Sequence, residues 1–79
     1  MREKEYKMKI KKLKKIFPGY EIVRIWGRDE QYPIYYGAIA GIPKYLKDFD
    51  MIPGDEGSLI EIRYGGDDIE DHIAVFVEK

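Results

Sequence analysis

A small α+β domain, with an N-terminal helix packed on a four-stranded, mainly antiparallel sheet, is the fold this sequence predicts. Three observations predict it. An apolar stripe recurs at helical spacing within residues 1–19; β-branched or alternating runs occupy 20–27, 34–41, 58–64 and 72–78; and Gly, Pro and Asp cluster between them. The expected order is α-β-β-short α-β-β in one domain, residues 1–79. A chain of 79 residues buries about 60 to 65% of its unfolded surface. With 44% hydrophobic and 14% aromatic residues it has material for a core, so disorder is not expected.

The helix is read from "MREKEYKMKIKKLKKIFPG". Tyr6, Ile10, Leu13 and Phe17 step by four, three and four residues and fall within a stripe of about 60°. Glu3 and Glu5 lie in the first turn, Lys14 and Lys15 near the end, and Pro18-Gly19 stops it. "YEIVRIWG" (20–27) is the first strand, with Ile22, Arg24 and Trp26 on one face and Val23 and Ile25 on the other. Both faces are partly apolar, which predicts a central strand. "IYYGAIAG" (34–41) pairs with it as a hairpin across "RDEQYP".

Pro43 at a first helical position, with Ile42, Leu46 and Phe49 at helical spacing, predicts a short helix in "IPKYLKDFDM". "MIPGDEG" (51–57) reads as a loop. "SLIEIRY" alternates, with Ile60, Ile62 and Tyr64 on one side and Glu61 and Arg63 on the other. "GGDDIED" joins it to "HIAVFVE" in a second hairpin. The helix stripe is expected to pack on residues drawn from Ile22, Ile25, Ile60, Ile62, Val75 and Val77.

Composition argues against enzyme chemistry. There is no Cys, Asn or Thr, and one each of Ser (Ser58), His (His72) and Gln (Gln31). Without cysteine there is no disulfide and no thiolate metal site. Nucleophilic catalysis needs an activated hydroxyl or thiol beside a base, and Ser58 with His72 is the one pair on offer. Asp67, Asp68, Glu70, Asp71 and His72 crowd six residues, but their spacing does not match an EF-hand loop. Asp55 with "EIR" at 61–63 lacks the lysine of a metal-dependent nuclease. No catalysis, cofactor or metal is expected. No apolar run reaches the roughly 18 residues of a membrane span, and no secretory h-region follows the basic N-terminus. A cytoplasmic protein with no membrane association is the expectation.

Charge is unevenly placed. Residues 1–47 carry twelve basic and five acidic side chains (+7), residues 48–79 two basic and ten acidic (−8), for the net −1. Two surfaces follow. Trp26, Tyr32 and Tyr35, with the acidic run Asp67, Asp68, Glu70 and Asp71, would serve a protein partner, since Trp and Tyr anchor interfaces. Lys7, Lys11, Lys14 and Lys15 would instead serve nucleic acid. The pI of about 5.8, and the lack of any RRM, KH or double-stranded-RNA signature, favour the protein-binding module.

"FPGYEIVRIWGRDEQYPIYYGAIAGIPKYL" (17–46) resembles short uncharacterised proteins of Firmicutes phages and mobile elements. The likeness lies in an aromatic strand, "YPIYYG", and an "IP..L" turn at Ile42, Pro43 and Leu46. It carries no catalytic motif. It implies a small accessory or anti-defence inhibitor that binds a host protein.

Overall fold

The computed structural model describes residues 8–54 and 56–78. Tyr6, Lys7, the first turn of the expected helix and Asp55 lie outside the described residues. Over the described residues the chain is α+β, with one short helix and a mixed sheet of five strands. A 3-10 turn at Ile10–Lys12 leads into α1 (Leu13–Ile16), followed by β1 (Ile22–Gly27) and β2 (Tyr35–Ala38). Two 3-10 turns, Ile39–Gly41 and Lys44–Leu46, then precede β3 (Met51–Ile52), β4 (Glu61–Arg63) and β5 (His72–Val77).

The long helix expected from residue 1 is corrected to a single α-helical turn among the described residues. The backbone upstream of it is claimed by another segment. Lys9 bridges Asp50 in antiparallel fashion, and Met8 O accepts from Met51 N–H at 2.7 Å. The Ile10 and Lys11 amides donate to Phe49 and Lys47, both at 3.0 Å. Met8 and Lys9 therefore shield the outer edge of β3 instead of winding into a helix. The stripe still finds the core, because Ile10 and Leu13 are fully buried and Phe17 packs against them.

The short helix expected at 42–51 is likewise a 3-10 turn with Pro43 as its N-cap. Its spacing was informative all the same, since Ile42 and Leu46 are buried and Phe49 packs on the core. The second strand is shorter than expected and turns into 3-10 geometry at Ile39. Met51 and Ile52, expected in a loop, form β3.

Both hairpins exist: β1 pairs antiparallel with β2, and β4 antiparallel with β5. They join through β1 and β5, which run parallel from Val23↔Ile73 to Gly27↔Val77. The sheet expected to be mainly antiparallel is thus mixed, with this central pair parallel and the other pairings antiparallel. β1 and β5 are the longest strands and carry apolar residues on both faces, so burial favours placing them side by side. On its other flank β5 meets β3 at Met51↔Val77 and Ile52↔Phe76, then β4 from Glu61↔Ala74 to Arg63↔His72. These two short strands occupy successive lengths of one edge, separated in sequence by a loop whose described residues are 53–54 and 56–60. The expected four strands become four ranks, the last broken in two.

One face of the sheet holds the core: Val23, Ile25, Ile73, Val75 and Val77 lie under Ile10, Leu13, Ile39, Ile42 and Leu46. Ile60 packs against it, but Ile62, expected in the core, is 54% exposed, while Glu61 on the other face is buried. The helical turns do not extend under β4, so alternation there no longer separates wet from dry. No helix among the described residues is long and apolar enough to cross a membrane.

Candidate functional site

Among the described residues, the face opposite the core carries no helix. Strand alternation and register place Tyr36 on β2, Ile22, Arg24 and Trp26 on β1, His72, Ala74 and Phe76 on β5, and Arg63, Glu61 and Ile52 on the broken edge. Ala74 is small and sits at the centre, so the larger neighbours close over it and leave it buried.

These side chains hold one another. The Arg24 guanidinium lies over the Tyr36 ring, 4.5 Å from its centroid, and Tyr36 meets His72 edge-on at 6.5 Å. Towards the other end Trp26 stacks on Phe76, with centroids 6.1 Å apart and planes inclined by 22°. His72 is buried, with Nδ1 3.1 Å from the Glu70 carbonyl; if Nδ1 carries the proton, it donates there. Arg63 donates to Glu61 at 2.7 Å, and the Glu56 amide donates to the other Glu61 carboxylate oxygen at 3.2 Å. The Arg63 hydrogen bond holds the Glu61 carboxyl below the usual range. Burial opposes this; the Glu56 amide and the Arg63 charge reinforce it. Gly54 brings the 53–60 loop onto this face, because a Cβ there would stand 2.7 Å from Glu61 Oε2 and 2.9 Å from the Phe76 ring.

Two donors on this face lack an acceptor among the described residues. Arg24 Nε and Trp26 Nε1 are buried without a hydrogen-bond partner, a situation costing about 1 to 3 kcal/mol per group. Arg24 also has no carboxylate partner among the described residues.

The expected partner-binding residues separate in space. Trp26 lies on the open face. Tyr32 is 76% exposed in the β1–β2 connection, at the opposite end of the sheet from the loop preceding β5. Tyr35 pairs with Ile25 on the core face, packs against the core, and donates its hydroxyl to the Ala38 carbonyl at 2.7 Å. Tyr36 is the tyrosine of the open face. Hairpin register was the missing signal, since pairing Arg24 with Tyr36 puts Tyr35 beside Ile25.

Asp67, Asp68, Glu70 and Asp71 are exposed in the β4–β5 loop, next to His72. The Gly65 amide donates to Asp71 at 2.8 Å. A Cβ at Gly65 would collide with the Ile69 carbonyl, so only glycine permits this closure. No three His, Cys, Asp or Glu side chains among the described residues gather as metal ligands.

Several lysines near α1 are engaged. Lys9 pairs with Asp50 at 3.4 Å, Lys11 with Asp48 at 3.8 Å, and Arg28 with Glu78 at 2.9 Å. All three pairs link the basic first part of the chain to its acidic remainder, and at exposed sites each contributes roughly 0 to 1 kcal/mol. Lys14 lies against Lys47. The hydrogen bond between their amines and their like charge lower the Lys47 pKa. Lys15 is exposed. No family model matches the sequence, and no curated protein or solved structure matches it.

Proposed function

We propose that this protein is a non-enzymatic protein-binding module whose docking surface is the sheet face opposite the core, rimmed by the acidic 67–71 loop. One observation carries the reading: Arg24 is stacked on Tyr36 in the middle of that face with no acidic partner among the described residues. Arg, Trp and Tyr are the residues that concentrate binding energy in protein interfaces.

Size constrains the proposal. From His72 to Phe76 the face is about 13 Å long, and its four ranks span about 14 Å. That is near 200 Å² in outline, against roughly 800 Å² per partner in a standard interface. The face would therefore be the centre of the contact, with the loop and exposed Tyr64 (82%) at its margin. The resemblance to small phage and mobile-element proteins supports a form in which binding blocks or modulates a host protein.

Nucleic-acid binding through Lys7, Lys11, Lys14 and Lys15 is the competing reading. It is weakened by the pairing of Lys11 with Asp48 and by the acidic loop bordering the aromatic face. Affinity capture from host lysate, with and without nuclease, separates the two. A protein retained after nuclease, released by charge reversal at Asp67, Asp68, Glu70 and Asp71, is the expected result. A partner lost on nuclease treatment, with log K against log salt flattened by about 0.7 to 0.9 for each lysine removed, would replace this reading with the nucleic-acid one.

A further inference from the structure

We propose that Arg24 receives a single carboxylate from the partner protein, an Asp or Glu side chain set within an otherwise basic segment. This rests on the protein-binding reading and names its central contact.

The geometry of Arg24 is that of a prepared receptor. Stacking on Tyr36 at 4.5 Å fixes a side chain that would otherwise lose much rotamer freedom on binding. Nε is buried without an acceptor among the described residues, so the guanidinium root is closed off. Nη1 and Nη2 make no hydrogen bond within the described residues and are not among the buried unpartnered atoms, so they reach solvent. A planar fork with its outer nitrogens free fits a two-oxygen acceptor at about 2.7 to 2.9 Å.

The surroundings select among anions. Arg63, the other guanidinium of this face, is already neutralised by Glu61 at 2.7 Å. Arg24 is thus a positive site without an acidic partner among the described residues, and the exposed carboxylates of Asp67, Asp68, Glu70 and Asp71 stand in the loop at the His72 end of the same face. Exposed charges interact over a Debye length of about 8 Å at physiological salt. A polyanion such as a phosphate backbone running along the face would meet repulsion from the acidic loop at its His72 end. A lone carboxylate flanked by Lys or Arg would satisfy the centre and the rim together. Apolar residues beside it would cover Trp26, Phe76 and the exposed part of Tyr36.

The test is a displayed random dodecapeptide library panned on the full chain. Selected peptides are expected to share one Asp or Glu flanked by Lys or Arg. Replacing that acid by its amide, or Arg24→Gln in the protein, should weaken binding at least tenfold. Arg24→Lys should not restore it, because an ammonium keeps the charge but lacks the fork. Amide spectra establish that each variant is folded, and Arg24→Lys retains the stem and charge should Arg24→Gln fail to fold. Selected peptides without an acid, or binding indifferent to both Arg24 variants, would remove the carboxylate proposal and leave a protein-binding module standing. No selected peptide, together with saturable binding of a mixed-sequence single-stranded oligonucleotide, would overturn both.

Discussion

Replacing Leu13 by alanine asks whether the one-turn helix is a structural part of the core or a cationic appendage free to serve a membrane or nucleic acid. Leu13 has no exposed surface and packs within the cluster formed with Ile10, Ile39 and the β1 and β5 residues. Removing its branched end leaves a cavity that four residues of helix, tied to the sheet at both ends, have little freedom to collapse. Such truncations cost about 2 to 5 kcal/mol. A domain of 79 residues has a total stability of roughly 4 to 12 kcal/mol, so the loss is a large part of it. Taking about 3 kcal/mol, and about 4 to 8 °C per kcal/mol at this size, Tm should fall by roughly 12 to 24 °C. Ile16, on the same turn but 46% exposed, is the control; Ile16→Ala should cost less than about 1 kcal/mol. Thermal and urea unfolding followed by circular dichroism measure both. Equal, small shifts for the two variants would refute the packing argument and release the helix for another role.

Three further outcomes are expected. Glu61, with its pKa lowered chiefly by the Arg63 hydrogen bond, contributes stability that is complete above the unfolded value of about 4.3 and lost as pH falls through the lower folded one. The wild-type chain should therefore lose more stability than Glu61→Gln below about pH 4.3, and parallel urea midpoints across that range would contradict the Glu61–Arg63 contact. Gly54→Ala forces a methyl against Glu61 and Phe76 and should cost about 1 to 3 kcal/mol; an unchanged midpoint would lift the 53–60 loop off the face. Tyr35→Phe orphans the Ala38 carbonyl and should cost about 0.5 to 1.5 kcal/mol, whereas Tyr36→Phe, whose hydroxyl has no described partner, should leave unfolding unchanged.

Periodicity carried much of the fold. Ile10 with Leu13, Val23 with Ile25, and Ile73 with Val75 and Val77 were legible because one side of each segment is dry. The two hairpins were legible from their turn residues. What sequence could not show is which strand of one hairpin abuts the other, since β1 and β5 meet only through tertiary burial. The helix was overextended for a related reason. Helical spacing of apolar residues says nothing of whether Met8, Ile10 and Lys11 spend their backbone groups on residues 47–51. Alternation misled at Ile62 because a strand at the broken edge has no layer beneath it. Within the candidate site, Trp26 and the acidic loop were read from residue type alone. Arg24, Tyr36 and His72 required the register that brings three strands together, and Tyr35 was chosen over Tyr36 for want of it.

The claim that the open sheet face is the docking surface is tested most directly by residue-resolved NMR. The labelled protein is titrated with the nuclease-treated protein captured from lysate, and amide and side-chain shifts are followed together. Shifts gathered at Arg24, Trp26, Tyr36, His72 and residues 67–71, with Lys11, Lys14 and Lys15 unmoved, are the predicted result. Shifts confined to those lysines, or to Tyr32 and the β1–β2 connection, would contradict it.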